Sequence, residues 1–193
     1  PGEFGYRVRV SVPGSQRAIV PGRLAEEHLP DAEHDSYRAQ FEMRHASRSV
    51  ELMAGPWVMR EKRMARAGGE PLRLRTLFPA ALDAEPGLAD AYLADSERYI
   101  GHYSKLIGAY PYDGFAVVAG PLPTGFGMPA MTYIDEQELR LPFIRATSLG
   151  HEVLHNWWGN AVQVDYASGN WSEGLTTFMA DYAYAERESA PKA

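Results

Sequence analysis

Hydrophobic and polar positions alternate over much of the first eighty residues. Tyr6, Val8, Val10 and Val12 alternate with Arg7, Arg9 and Ser11, the period of a strand with one buried face. Pro13-Gly14-Ser15 marks a turn and Pro21-Gly22 a second one. Alternation returns at Tyr37, Ala39, Phe41 and Met43, and again at Leu72, Leu74, Thr76 and Phe78. Between these, Ser49 to Met64 holds an apolar run broken at Gly55-Pro56, which predicts an edge strand or a bend. Short strands separated by turn signals predict part of a β-sandwich over residues 1–80, a layer that needs no chemistry of its own.

Beyond Pro79 to Pro86, the expected domain boundary, the period changes. Leu88, Tyr92, Tyr99, Tyr103, Leu106 and Ile107 recur at helical intervals, and Pro111 is expected to stop that helix. The aromatic stripe reads as packing, and His102 on the same helix as structural. Phe115 to Ala119 (FAVVA) predicts a short buried strand. Gly120 to Tyr133, rich in Gly and Pro and then apolar, reads either as a loop feeding an edge strand or as a strand edge that pairs with an extended peptide. Thr147 or Ser148 is expected to cap the helix that follows, and Gly159-Asn160 to end it. Gly169-Asn170 closes a loop, after which Ser172 is expected to cap a second helix reaching at least Tyr184. The tail, Glu186 to Ala193, reads as frayed. Strands first and helices later make the fold class α+β, with domains at 1–80 and 85–193.

Composition narrows the partners. Of 193 residues, 45% are hydrophobic and 23% charged, ordinary for a chain with a real core. The formal net charge is −6 and no basic run occurs, which argues against nucleic acid and anionic membrane surfaces. There is no cysteine, so neither disulfides nor thiolate ligands are available, and a metal site must use His, Asp or Glu. No apolar run reaches the roughly 18 residues of a membrane span. The start of the chain lacks both an initiator Met and the regions of a signal peptide, so a fragment of a longer chain is expected. His28, His34 and His45 show no ligand spacing and read as solvated or hydrogen-bonded.

The stretch that carries chemistry is His151 to Glu173, HEVLHNWWGNAVQVDYASGNWSE. Four residues apart on a helix, His151 and His155 leave one face about 5–6 Å apart. Two imidazole nitrogens can then reach one ion at about 2.0–2.1 Å. Glu152 lies about 100° around the helix, poorly aimed to ligate but placed to take a proton from an activated water. Glu173, at the start of the next helix, is the expected third ligand, leaving a coordination position for water. Trp157 and Trp158 are expected to anchor the helix in a core. Thr177 and Asp165 are candidate outer partners of the histidines, but they read better as an ordinary helix threonine and a turn aspartate. The site predicts zinc-dependent peptide hydrolysis with Glu152 as general base; a non-catalytic domain with a structural metal is the alternative.

HEVLHNWWGN followed by WSEGLTTF resembles the zinc signature of the gluzincin aminopeptidases. The resemblance implies the end of an N-terminal β-domain followed by the first portion of a thermolysin-like catalytic domain. It implies one Zn²⁺ on His151, His155 and Glu173, Glu152 as base, and a peptide substrate. The connection from Asn156 to Ser172 is one residue shorter than the family's usual one, a deletion placed around Tyr166 to Gly169. The family's substrate strand corresponds to Gly125-Phe126-Gly127-Met128-Pro129-Ala130-Met131, which makes Gly127, Met128, Pro129 and Ala130 the candidate substrate-binding residues. Pro129 stands where the family has a glutamate for the substrate amine. Aminopeptidase action and the same mechanism without a strict need for a free N-terminus therefore both follow. The family's oxyanion-stabilising tyrosine would fall beyond Ala193, since Tyr182 and Tyr184 lie too near the ligand helix to match it.

Overall fold

The computed structural model describes residues 2–188. The tail beyond Glu188, part of the segment read as frayed, lies outside the described residues. Helix runs to Glu188 itself.

The strands are β1 (Phe4–Pro13), β2 (Arg17–Ile19), β3 (Arg23–His28), β4 (Ser36–Ser47), β5 (Met53–Gly55), β6 (Trp57–Met64) and β7 (Leu72–Pro79). After them come α1 (Ala80–Asp83), α2 (Leu88–Leu106), β8 (Gly114–Gly120), β9 (Gly125–Met128) and β10 (Met131–Asp135). The last third is helical: α3 (Leu149–Leu154), α4 (Trp171–Thr177) and α5 (Ala183–Glu188). A π turn, Ile144–Ser148, leads into α3, and a second, Phe178–Tyr182, joins α4 to α5. The chain is thus a mixed α and β structure. No helix among the described residues is long and apolar enough to cross a membrane.

The strands form a three-stranded sheet ordered β1-β4-β3, a five-stranded sheet ordered β6-β7-β8-β10-β9, and a β2-β5 ribbon. In the larger sheet the central pairs β7/β8 and β8/β10 are parallel, and the flanking pairs β6/β7 and β10/β9 antiparallel. Strand β8 explains its own unbroken apolar run, because both faces of a central strand are covered. Phe115, Val117 and Ala119 pack with α2 and α3, whereas Ala116 and Val118 pack with Val10, Tyr37 and Phe41 of the smaller sheet. The order of layers is therefore small sheet, large sheet, helices. The expected boundary at 80/85 does not separate sheets: β6 and β7 precede it, yet β7 is hydrogen-bonded to β8 beyond it.

Two expected ends moved. Helix α2 stops at Leu106, before Gly108 at φ +138°, and Pro111 is not its terminator. Only a glycine adopts that φ without strain, so the chain leaves the helix there. Neither Thr147 nor Ser148 caps α3, since helical backbone already runs through the π turn. Instead the Thr147 hydroxyl donates to Phe143 O at 2.9 Å, a bond back into the preceding turn.

Candidate metal centre

Helix α3 is pressed onto α2 at Gly150. A Cβ there would stand 2.8 Å from Tyr99 Cε1 and 3.1 Å from the Tyr103 hydroxyl oxygen. The Tyr99 hydroxyl donates to Arg145 O at 3.0 Å, holding the π turn that feeds α3. Beyond α3, Trp157 is buried and meets Tyr103 and Tyr110 edge-on at centroid distances of 6.3 and 5.3 Å. The tryptophan anchors the site helix as expected. Gly159, at φ +103°, turns the chain away, and Asn160 Nδ2 donates to His155 O at 2.8 Å.

His151 and His155 face each other with ring centroids 4.9 Å apart. Their Nε2 atoms lie 3.4 and 3.5 Å from the two carboxylate oxygens of Glu173. One ligating atom from each of the three residues falls within 4.8 Å of the others, so together they could hold a metal ion. The histidine side chains are 18 % and 12 % exposed and Glu173 57 %, which leaves the open side of the cluster toward Glu173.

Each imidazole is oriented through its other nitrogen. His155 Nδ1 donates to Trp158 O at 3.1 Å, and the same carbonyl accepts the Ser172 hydroxyl at 2.9 Å. One backbone oxygen thus joins the second histidine to the helix that carries Glu173. Ser172 is spent on this link and does not cap α4, whose N-cap position is Asn170. His151 Nδ1 lies 2.9 Å from Asp181 Oδ2. Asp165 holds only its own turn, accepting from Ala167 N at 3.2 Å and Ser168 Oγ at 2.9 Å.

Glu152 points from the same helix into a confined space under β9. A Cβ on Gly127 would lie 2.7 Å from Glu152 Oε2 and 3.1 Å from His155 Cβ, so only glycine lets this strand lie against the site. Glu152 Oε2 is buried without a hydrogen-bond partner. Burial pushes the Glu152 carboxyl up from its ordinary value. The nearby Glu173 and Asp181 push the same way, against the opposing pull of His155 and His151.

Of the four candidate peptide contacts, the structure places only Gly127 against Glu152. Met128 pairs with Met131, and its side chain packs into the core between the sheets. Pro129 and Ala130 form the turn that joins β9 to β10. Ala130, at φ +62°, is buried. Its N–H donates to Asn156 Oδ1 at 2.8 Å, and its carbonyl accepts Ala116 N at 3.0 Å. With each backbone group bonded once, Ala130 closes the hairpin. Asn156, fully buried beside the second histidine, also accepts the Tyr110 hydroxyl at 3.1 Å and donates to Val153 O at 3.0 Å. It fixes the hairpin to the end of the site helix. Asn156, Ser172 and Asp181 carry no spacing signal that reading the sequence could have used.

No protein-family model matches the chain, and no curated protein matches it. Solved structures do. The M1 zinc metallopeptidase from Deinococcus radiodurans matches with a TM-score of 0.69 at 22% identity, covering 99% of this chain and 42% of that one. A Glu-to-Ala variant of a two-domain M1 zinc metallopeptidase bound to L-arginine gives 0.68 at 21%, covering 95% and 40%. The Glu-to-Ala variant from Deinococcus radiodurans bound to a Tyr-Ser-Ala substrate gives 0.64 at 21%, with the same coverage of 95% and 40%. The fold is that of the M1 zinc metallopeptidases, in agreement with the resemblance to the gluzincin aminopeptidases. The chain spans about two fifths of the length of these structures.

Proposed function

We propose that this site hydrolyses peptide bonds, with one zinc ion held by His151, His155 and Glu173 and with Glu152 as general base. The observation that carries the reading is the convergence of three donor groups within 4.8 Å beside a buried carboxylate oxygen that no protein donor occupies. Two imidazoles and a carboxylate are the donor set of a hydrolytic zinc site with a position left for water. Both Nδ1 atoms are turned to protein acceptors, which frees both Nε2 lone pairs for the metal.

Zinc in that position supplies Lewis acidity, lowering the pKa of a water toward about 7 and polarising a carbonyl. Glu152 accepts the proton of the attacking water and returns it to the leaving amine. Strand β9 is the outermost strand of its sheet, so one edge of its backbone is free to pair with an extended peptide. Peptide as the substrate class is supported by the Tyr-Ser-Ala substrate bound to a protein of the same fold. Zinc analysis of the full-length protein tests the assignment: one zinc per chain is expected, lost in His155→Ala, and an unaltered protein that binds no zinc contradicts it.

One observation favours action without a strict need for a free N-terminus. Gly125 to Ile134, which spans β9, its turn and most of β10, contains no carboxylate. An ammonium brought out of water there would lack a partner, at considerable cost. Similar kcat/KM on a free peptide and its N-acetylated form is the expected result. A preference of about 10²-fold or more for the free amine would restore strict aminopeptidase action.

A further inference from the structure

We infer that the cleft between the two β layers is a binding site for a small organic oxyanion, a phosphate or carboxylate carried on an apolar body. The cleft has a volume of about 600 Å³, within the range of small-molecule sites. Six arginines line it: Arg23, Arg44, Arg63, Arg66, Arg73 and Arg75. Arg66 is matched by Asp113 at 2.7 Å. The others draw on too few carboxylates. Glu42 alone serves Arg7, Arg23 and Arg44, at 2.7, 2.9 and 3.4 Å. Glu61 and Glu27 between them serve Arg63, Arg73 and Arg75. Six guanidiniums thus face three carboxylates, and with the exposed Glu70 of the lining counted as a fourth, two positive charges are in excess. The chain as a whole carries a net charge of −6, so the excess is local to this cleft.

Two of these guanidiniums are under-bonded. Arg23 donates through Nη2 to Glu42 at 2.9 Å, but its Nε is buried without a hydrogen-bond partner. Arg73 Nη1 stands 3.6 Å from Glu61 and 3.9 Å from Glu27, too far for a hydrogen bond, on a side chain only 32 % exposed. Donors drawn out of water without acceptors are costly. An oxyanion in the cleft supplies an acceptor to Arg73 and offsets the excess charge around Arg23. The guanidinium fork suits this role, because it pairs with carboxylate or phosphate oxygens two at a time. The buried Val20, Phe41 and Met131 make the apolar part of the lining, which fits a hydrocarbon or aromatic body. Arg23 belongs to β3 of the smaller sheet and Arg73 to β7 of the larger, so one ligand would bridge the layers. Ala130 and Met131 also line the cleft, which therefore backs onto the hairpin that carries β9. The site shares no residue with the metal cluster, so its test is independent of the zinc reading.

Calorimetric titration of the full-length protein with phenyl phosphate and with benzoate tests the site. Saturable binding of one or both is expected, the tighter identifying the head group. Phenol, which keeps the ring and lacks the charge, should not bind. Arg73→Gln is expected to weaken binding by about 10–100-fold, the loss of a hydrogen bond to a charged group. His155→Ala should leave it unchanged. Protection of Arg63 and Arg73 from phenylglyoxal, read by mass spectrometry on the unaltered protein, locates the ligand without relying on a variant. The exposed Arg98, on α2 and outside the cleft, should react as before. Absence of saturable binding by either anion overturns the inference, as does equal binding of phenol or equal affinity in Arg73→Gln. Binding that His155→Ala abolishes also overturns it, because the anion would then sit at the metal centre. If Arg73→Gln fails to fold, the footprint decides: unprotected Arg63 and Arg73 contradict the site.

Discussion

Glu152 and Gly127 define how little space the site allows. A methyl group on Gly127 would meet Glu152 Oε2 at 2.7 Å, well inside contact distance, and His155 Cβ at 3.1 Å. The carboxylate is the movable partner, so Gly127→Ala is expected to displace the base and leave the zinc ligands in place. A misplacement near 1 Å can cost about 10²-fold in rate, and kcat should fall on that order with zinc content unchanged. An unaltered kcat in this variant would contradict the placement of β9 over the base. At this scale the three donors that converge are legible as candidate ligands because metal chemistry demands a spacing: His151 and His155 share a helix face, and an acid must follow from elsewhere. Asp181 was not legible, because a regular α repeat points to Ala180. Nothing local in the sequence announces that Asn156 takes the N–H of Ala130.

The helix that presents the histidines depends on close approach to α2. Alanine is normally favoured over glycine inside a helix by up to about 1 kcal/mol. At Gly150 that preference is opposed by a clash with the Tyr99 ring at 2.8 Å and the Tyr103 hydroxyl at 3.1 Å. Overpacking of this kind costs about 1–3 kcal/mol, so Gly150→Ala is expected to destabilise the protein, measurable by urea unfolding. A stabilised variant would mean that α3 is not seated as described. The strands were largely readable from alternation, and FAVVA from its unbroken apolar run. The entry to α3 was not, because a π turn carries helical backbone through Thr147 and Ser148, residues that elsewhere act as caps. The end of α2 was missed because Gly108 ends the helix before Pro111 can.

The two β layers are joined by charge as well as by apolar contact. Arg75 on β7, nearly buried, meets Glu27 of the smaller sheet at 2.8 Å and Glu61 of its own sheet at 2.7 Å. Burial alone would raise the Glu27 carboxyl, but its hydrogen bonds to Arg75 and that charge outweigh burial and hold it below the ordinary glutamate value. The unfolded chain therefore takes up this proton at a higher pH than the folded one. The resulting stability is fully present above the ordinary value of about 4.3 and is lost as pH falls through and below it. Glu27→Gln should remove that part of the acid dependence of unfolding free energy; an unchanged pH profile would contradict the linkage. The same contacts show why a domain boundary near residue 80 could be read from composition yet not from hydrogen bonding, since β7 belongs with β8.

The layers, the helices and the small residues between them converge on one arrangement, three candidate metal ligands and a buried carboxylate under an edge strand. The rate of peptide hydrolysis by Glu152→Gln in the full-length protein, measured at full zinc loading, tests this most directly. Zinc should remain bound while hydrolysis falls by about 10²–10⁴-fold, the contribution expected of a positioned general base. Undiminished hydrolysis would remove Glu152 from the chemistry. Zinc-loaded protein with no hydrolysis before the substitution would leave a structural metal site in place of an enzyme.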